Sequence, residues 1–273
     1  MTTNDRTAGR EARRPLAITR YPGGKWYLIN WITDHLPKAT RFVEGFAGTA
    51  TILLNRLRAE EEILIEKNPD QATLLRVVRD QPQELIERLQ PLRWDRLTFM
   101  DARFLLEAGA YDTDLERAAL VYTVRKQSFG GIGGSFAYVI ERNPQRQWDR
   151  GLRRLLRVSE RLHGVEVINA NALDVLKRFD APDTLFYLDP PYVLSSRSPA
   201  TLYGQYEMSD DDHRSLCVLI RRLEGKVVLS GYANPIYDEL LGDWRTVKCD
   251  AYAYARPGGG PRVKKVEVLW KNF

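Results

Sequence analysis

The chain has 273 residues, 41 of them Lys or Arg and 36 Asp or Glu, for a formal charge of +5; that length suits one elaborated domain or a domain carrying a smaller insertion. Its two cysteines, Cys217 and Cys249, exclude a disulfide framework or a cysteine-built zinc cluster. No apolar run approaches the roughly 18 residues of a membrane span, and the opening MTTNDRTAGREARR lacks the apolar centre of a secretory signal, so a soluble cytoplasmic protein is expected.

Residues 1–19, with Arg10, Arg13 and Arg14, read as a polar, basic arm. YPGGK at 21–25 is a glycine turn, and from Lys25 the apolar positions Leu28, Ile29, Ile32 and Leu36 recur at helical spacing until Pro37. Arg41 to Glu44 reads as a strand running into Gly45, Phe46, Ala47 and Gly48, then a helix carrying Ile52, Leu53 and Leu57. A second strand, Ile63 to Ile65, ends at Glu66 and precedes a helix with Leu74, Leu75 and Val78. Strand, glycine turn, helix, strand, acid is the opening of a doubly wound α/β sheet.

Residues 81–162 break the alternation. Leu85 to Leu89, Tyr111 to Val124 and Leu152 to Leu162 read as helices with no strand between them, which predicts an inserted, mainly helical subdomain. Strand-like runs return at Val165 to Ile168, Leu185 to Leu188, Val227 to Ser230 and Val263 to Trp270, with a helix around His213 to Leu223. The sheet domain is therefore expected over 20–80 and 163–273.

In open parallel sheets, ligands settle beyond the carboxyl ends of the strands. FVEGFAG puts Glu44, Gly45, Phe46 and Gly48 there, and Glu66 ends the neighbouring strand, where an acid can accept both hydroxyls of a ribose. A tight turn and a solvated acid is the plain alternative. The spacing departs from GxGxxG, which favours a nucleoside ligand without phosphates, walled by Phe46; carboxylates and aromatic faces would favour a sulfonium centre on it.

LFYLDPPY drives an apolar strand into Asp189, Pro190, Pro191 and Tyr192. The prolines restrict the backbone and donate no hydrogen bonds, leaving the Asp189 carboxylate and the Pro190 carbonyl as acceptors. An exocyclic amine has two N–H donors to match them, and Tyr192 can stack on the ring that bears it. A simple Asp-Pro-Pro turn would need neither the apolar strand nor the aromatic residue in this order.

YPGGK at 21–25, FVEGFAG at 42–48, IEKN at 65–68, LFYLDPPY at 185–192 and VVLSGY at 227–232 together resemble the D12-class, Dam-like DNA adenine-N6 methyltransferases, over most of the chain and in that family's motif order. The resemblance implies a Rossmann-like S-adenosylmethionine-dependent methyltransferase sheet with a target-recognition insertion at 81–162. It implies S-adenosyl-L-methionine held by Tyr21, Pro22, Gly23, Gly24, Lys25, Glu44, Gly45, Phe46, Gly48, Glu66, Asn171 and Asp189. Lys25 and Glu44 would lie near its methionine part and Glu66 at its ribose. The target adenine would be flipped into a pocket made by Asp189, Pro190 and Tyr192, because N6 of a stacked, paired base cannot be reached in line with a methyl donor. Two positions depart from the family: Asn171 stands where an acid is usual, and Glu66 where Asp is more frequent.

For the DNA surface, RGLRRLLRVSERLHG places Arg150, Arg154, Arg157 and Arg161 on one helical face, away from Leu152, Leu155 and Leu162. Either water or backbone phosphates would stabilise that stripe. SFGGIGGSF, from Ser128 to Phe136, is similar to the family's short recognition motif, and Arg125, Lys126, Ser128 and Phe129 are expected at DNA. ARPGGGPRVKK, with Arg256, Arg262, Lys264 and Lys265, reads as a hairpin connection, with DNA contact as the second reading. His35, His163 and His213 lack metal-ligand spacing, so no metal site is expected. The expected activity is site-specific methyl transfer to adenine N6 in double-stranded DNA by a monomeric bacterial or phage enzyme, with a cognate restriction endonuclease as a possible partner. Transfer to cytosine N4, or a catalytically silent DNA binder of the same fold, are the alternatives.

Overall fold

The computed structural model describes residues 15–138, 143–196, 203–252 and 264–273, which form one seven-stranded sheet between two layers of helices. The arm residues Arg10, Arg13 and Arg14 and the loop residues Arg256 and Arg262 lie outside the described residues. Strands β1 (Arg41–Glu44), β2 (Glu61–Glu66), β3 (Glu166–Asn169), β4 (Thr184–Leu188) and β5 (Lys226–Tyr232) run parallel. Two more, β6 (Arg245–Tyr252) and β7 (Lys264–Lys271), close one edge antiparallel, giving the order β3-β2-β1-β4-β5-β7-β6. Lys264 and Lys265, read as part of the hairpin connection at 255–265, are instead the first residues of β7, and the rest of that segment lies outside the described residues.

Side-chain alternation along each strand feeds both layers. Phe42, Leu64, Leu185 and Tyr187 join one core, while Val43, Ile65, Phe186 and Leu188 join the other. The first core is covered by α1 (Ile29–Asp34), α2 (Thr51–Asn55) and α3 (Pro69–Asp80), together with the 81–162 block. That block comprises α4 (Pro82–Leu89), α5 (Arg96–Glu107), α6 (Asp114–Gln127) and α7 (Pro144–Leu162). Its Leu85, Leu89, Val121, Trp148 and Leu155 enter the same core as the sheet, and only Phe99, Ala102 and Val124 form a small cluster apart. The block is therefore a layer on the sheet more than a body with its own interior. The second core lies under α8 (Ala172–Val175), α9 (Asp210–Ile220) and α10 (Pro235–Leu240).

Several boundaries differ from the sequence reading. The first helix divides into a 3₁₀ turn, Trp26–Leu28, and α1. The helix expected to carry Leu57 stops at Asn55, which leaves Leu57 73% exposed. α6 begins after Thr113, whose side chain accepts from Glu116 N–H, and α7 begins after Asn143, which caps it in the same way. β6 was not expected: it is an edge strand whose alternating Lys248 and Asp250 hide any apolar run. α5 and α10 were likewise unread.

β1 leads outward to β2 and β3, and the chain then returns to place β4 on the other side of β1. This reversal splays the loops at the carboxyl ends of β1 and β4 and opens a crevice between them.

Candidate active site

Four strands deliver polar side chains to that crevice. Glu44 ends β1, Glu66 ends β2, Asn171 follows β3 and Asp189 follows β4. All line one cleft, together with the YPGGK turn and the Gly45–Gly48 segment. Every residue expected at the cofactor lies on its wall. Residues the sequence reading missed share it: Thr49, Thr51, Tyr187, Pro191, Tyr203, Tyr206, Met208 and Asp212 among them. Tyr203 and Tyr206, shortly after DPPY, were an available aromatic signal.

Backbone geometry explains two of the glycines. Gly48 adopts φ +51°, and its N–H donates to Glu66 Oε2 at 2.7 Å. Gly23 adopts φ +71°, and a β-carbon there would come within 2.2 Å of the Tyr203 hydroxyl. Either position would be strained or blocked by a side chain.

The cleft carboxylates are buried and held by backbone donors. Glu44 accepts from Leu53 N–H at 2.7 Å and so caps α2, whose N-cap Ala50 has no side-chain acceptor. Glu66 accepts from Asn68 N–H at 2.8 Å through its second oxygen. Burial pushes the Glu44 pKa up to about 8 and that of Glu66 up to about 7, against the pull of these hydrogen bonds. Asn171 caps α8 by accepting from Leu173 N–H at 3.3 Å.

At the other end of the cleft a charged network surrounds Asp189. Lys25 Nζ lies 2.6 Å from Asp189 Oδ1, donates to the Gly23 carbonyl at 3.2 Å and to the Tyr192 hydroxyl, and stands 3.6 Å from Glu267 Oε1. Tyr192 in turn donates to Glu267 Oε1 at 2.6 Å, and Ser230 does the same at 2.6 Å. Lys25 thus faces the DPPY end of the cleft. The Tyr192 ring meets Tyr232 edge-on, with centroids 4.4 Å apart. Pro190 is buried, while its neighbour Pro191 lines the cleft, as successive residues of an extended segment point in opposite directions.

Burial raises the Asp189 pKa to about 6, reinforced by the charge of Glu267 and opposed by Lys25. Burial alone would lower the Lys25 pKa, but Asp189 and Glu267 outweigh it and hold the ammonium protonated. The result is a carboxylate acceptor at a strand tip, ionised near neutral pH and fixed by a lysine.

The residues expected at DNA are divided by the fold. Arg125 donates to the carbonyls of Gly131 and Ile132 at 2.9 and 3.0 Å, and its guanidinium lies 5.0 Å from the centroid of the Tyr21 ring. Ser128 is buried and accepts from Gly133 N–H at 2.9 Å; Phe129 is half-buried. The glycine loop is thereby fastened to the YPGGK turn at the cleft. Lys126 is half-buried beside Gly151, and its pKa is lowered to about 8 by burial and by Arg154, Arg20 and Arg150.

One member of the four-arginine stripe, Arg161, is corrected by the fold. Arg150, Arg154, Arg157 and Arg161 are half-buried, and the outward face of α7 carries Arg153, Leu156 and Glu160. Arg161 is a structural residue: it donates to both oxygens of buried Glu62 at 2.5 and 2.8 Å and to the Leu53 carbonyl at 2.6 Å. A buried carboxylate on β2 needs a counter-ion, and α7 packs where Arg161 can supply it.

Comparison with known proteins agrees with this geometry. The sequence model of the family described as D12 class N6 adenine-specific DNA methyltransferase matches residues 21–250. The chain is 25% identical to the Type II methyltransferase M.MjaIII of Methanocaldococcus jannaschii, with 79% of this chain and 83% of that protein aligned. It is 24% identical to the DNA adenine methylase of Serratia marcescens, over 84% and 86% of the two chains. A DNA adenine methylase of Salmonella typhimurium is 24% identical over 93% and 94%.

Proposed function

The chain belongs to the D12 class of N6 adenine-specific DNA methyltransferases, and from that premise we propose that it binds S-adenosylmethionine in the glycine-lined cleft and methylates an adenine extruded from double-stranded DNA. DNA adenine methylation is the activity of the family. The observation that carries the finer reading is that Asp189 opens into the same cleft as Glu44, Glu66 and the glycine turns.

The cleft suits that cofactor. Glu66 ends β2 where it can accept from a ribose, Phe46 offers an apolar face, and Asp189, ionised near neutral pH, opens into the same cleft to favour a cationic centre. When bound, the cofactor supplies a methyl group activated on a sulfonium.

The chain's own residues do the rest. Asp189 and the Pro190 carbonyl accept from the two N–H bonds of the adenine amine, which aims its lone pair across the cleft. Holding the amine so converts an encounter into an oriented, effectively unimolecular step. The Asp189 charge would stabilise the positive charge that N6 gains as its bond to the methyl carbon forms and that carbon's bond to sulfur breaks, after which N6 loses a proton to water. Tyr192 supplies the aromatic surface for the extruded base.

The helical block at 81–162 serves as the target-recognition region in this reading. Arg20, Arg150 and Arg154 gather around Lys126 and would meet backbone phosphates. Arg157 extends that surface, and Arg125, Ser128 and Phe129 set the glycine loop against the cleft. The reading includes a cytoplasmic monomer, with a cognate endonuclease as partner in the host; no helix among the described residues is long and apolar enough to cross a membrane.

The test is direct. The protein is incubated with unmethylated DNA and S-adenosylmethionine labelled in its methyl group, and the DNA is digested to nucleosides. Label in N6-methyldeoxyadenosine is expected; label in N4-methyldeoxycytidine, or none, overturns the proposal.

A further inference from the structure

Glu267 lies on β7, outside the segment 21–250 that matches the family, and no motif in the sequence marks it. Yet it is only 2% exposed, accepts from the Tyr192 hydroxyl and stands 3.6 Å from the Lys25 ammonium that holds Asp189. The antiparallel register of β5 and β7 puts it there. Glu267 is opposite Tyr232, and Ser230, two positions away on β5 and on the same face, donates to it.

We infer that Glu267 is a positioning residue for methyl transfer, setting the Tyr192 ring through the tyrosine hydroxyl and the Asp189 carboxylate through Lys25. The assignment rests on the reading of Asp189 and Tyr192 as the adenine pocket. One oxygen, Oε1, accepts from Tyr192 and from Ser230 and faces Lys25. Tyr192 is also restrained by the Lys25 ammonium on its hydroxyl and the Tyr232 edge against its ring. Without Glu267 its hydroxyl would lose its acceptor, and Lys25 would be drawn wholly to Asp189.

Glu267 also sets the electrostatics around Asp189. The groups facing that carboxylate among the described residues are Lys25 from the turn before α1, Glu44 from β1, Tyr187 from β4, Tyr192, Tyr237 from α10, and Glu267 from β7. One ammonium between Asp189 and Glu267 leaves the cluster an acceptor of positive charge. Removing the Glu267 charge eases ionisation of Asp189, so the acidic limb of the pH–rate profile moves to lower pH. A merely structural role would leave that limb in place.

The experiment compares wild type with Glu267→Gln and Glu267→Ala in steady-state methylation of unmethylated DNA across pH. Glu267→Ala is expected to lower kcat at least tenfold with KM for S-adenosylmethionine within about twofold. Glu267→Gln, which keeps an acceptor oxygen, recovers part of kcat and shows the shifted acidic limb. In a Tyr192→Phe background, Glu267→Gln costs less than in wild type, because the hydroxyl it acts through is gone. Should Glu267→Ala fail to fold, Glu267→Gln decides alone. An active wild type whose Glu267 variants keep its kcat and pH profile overturns the inference only. A wild type that leaves DNA adenine unmethylated overturns the reading of the site and this inference with it.

Discussion

Lys25 and Asp189, 164 positions apart in the chain, meet with Nζ and Oδ1 separated by 2.6 Å. The contact joins the turn at the start of the fold to the tip of a central strand, and both groups are largely buried, at 5% and 17% exposure. A buried ion pair is weak evidence of net stability, because desolvation offsets the attraction, but loss of one partner strands the other.

Lys25→Met should therefore destabilise the protein by about 3 kcal/mol, since Asp189 and Glu267 would share the interior without a cation. Denaturant unfolding measures it. Asp189→Ala leaves Lys25 paired with Glu267, so folding and cofactor binding should largely persist while kcat falls about 100-fold or more. Wild-type turnover in Asp189→Ala would remove that residue from the chemistry.

The buried carboxylates predict an unusual pH dependence of stability. Folding raises the pKa of Glu44 from 4.5 to about 8, of Glu66 from 4.5 to about 7 and of Asp189 from 3.8 to about 6. Between the unfolded and folded values the folded state holds protons that the unfolded state has released, so the unfolding free energy falls as pH rises. The contribution is fully present below about pH 4 and is lost progressively up to about pH 8. The Tm of the ligand-free protein should fall between about pH 5 and about pH 8, and a cationic cofactor should raise Tm more at the upper end. A Tm that climbs through this window would contradict the assigned burial of these groups.

Arg150 and Arg161 belong to the same helical stripe but should behave differently. Arg161→Ala removes the bidentate partner of Glu62, although Arg56 at 3.4 Å and Arg58 at 3.6 Å retain contact; a loss of about 2 kcal/mol is expected. The salt dependence of DNA binding should not change in that variant. Arg150→Met should leave stability nearly intact and reduce the slope of log K against log salt by about 0.9. Binding isotherms at several salt concentrations, set beside denaturant melts, separate the two roles.

Much of the site was legible because its signals are local. An apolar run such as Leu185 to Leu188 that ends in Asp-Pro-Pro-Tyr declares a buried strand and its tip within a few residues, and so does FVEGFAG. The clustering of Glu44, Glu66, Asn171 and Asp189 follows from parallel strands, which must all deliver their ends to one side. Glu267 was illegible for the complementary reason. KKVEVLWK reads as an ordinary strand, and nothing within it reveals which residue of β5 its glutamate will oppose.

The sequence by itself determined the doubly wound sheet, the glycine-lined rim of the cleft and the acid at the tip of β4, since each depends on backbone preferences and apolar periodicity over a short span. Only the tertiary structure decided that Lys25 holds Asp189, that Glu267 holds Tyr192, and that Arg161 faces inward to Glu62. Those are choices of partner among buried charges. Strand register and helix packing across the chain set them, because a charge taken out of water binds whichever opposite charge the fold brings within reach.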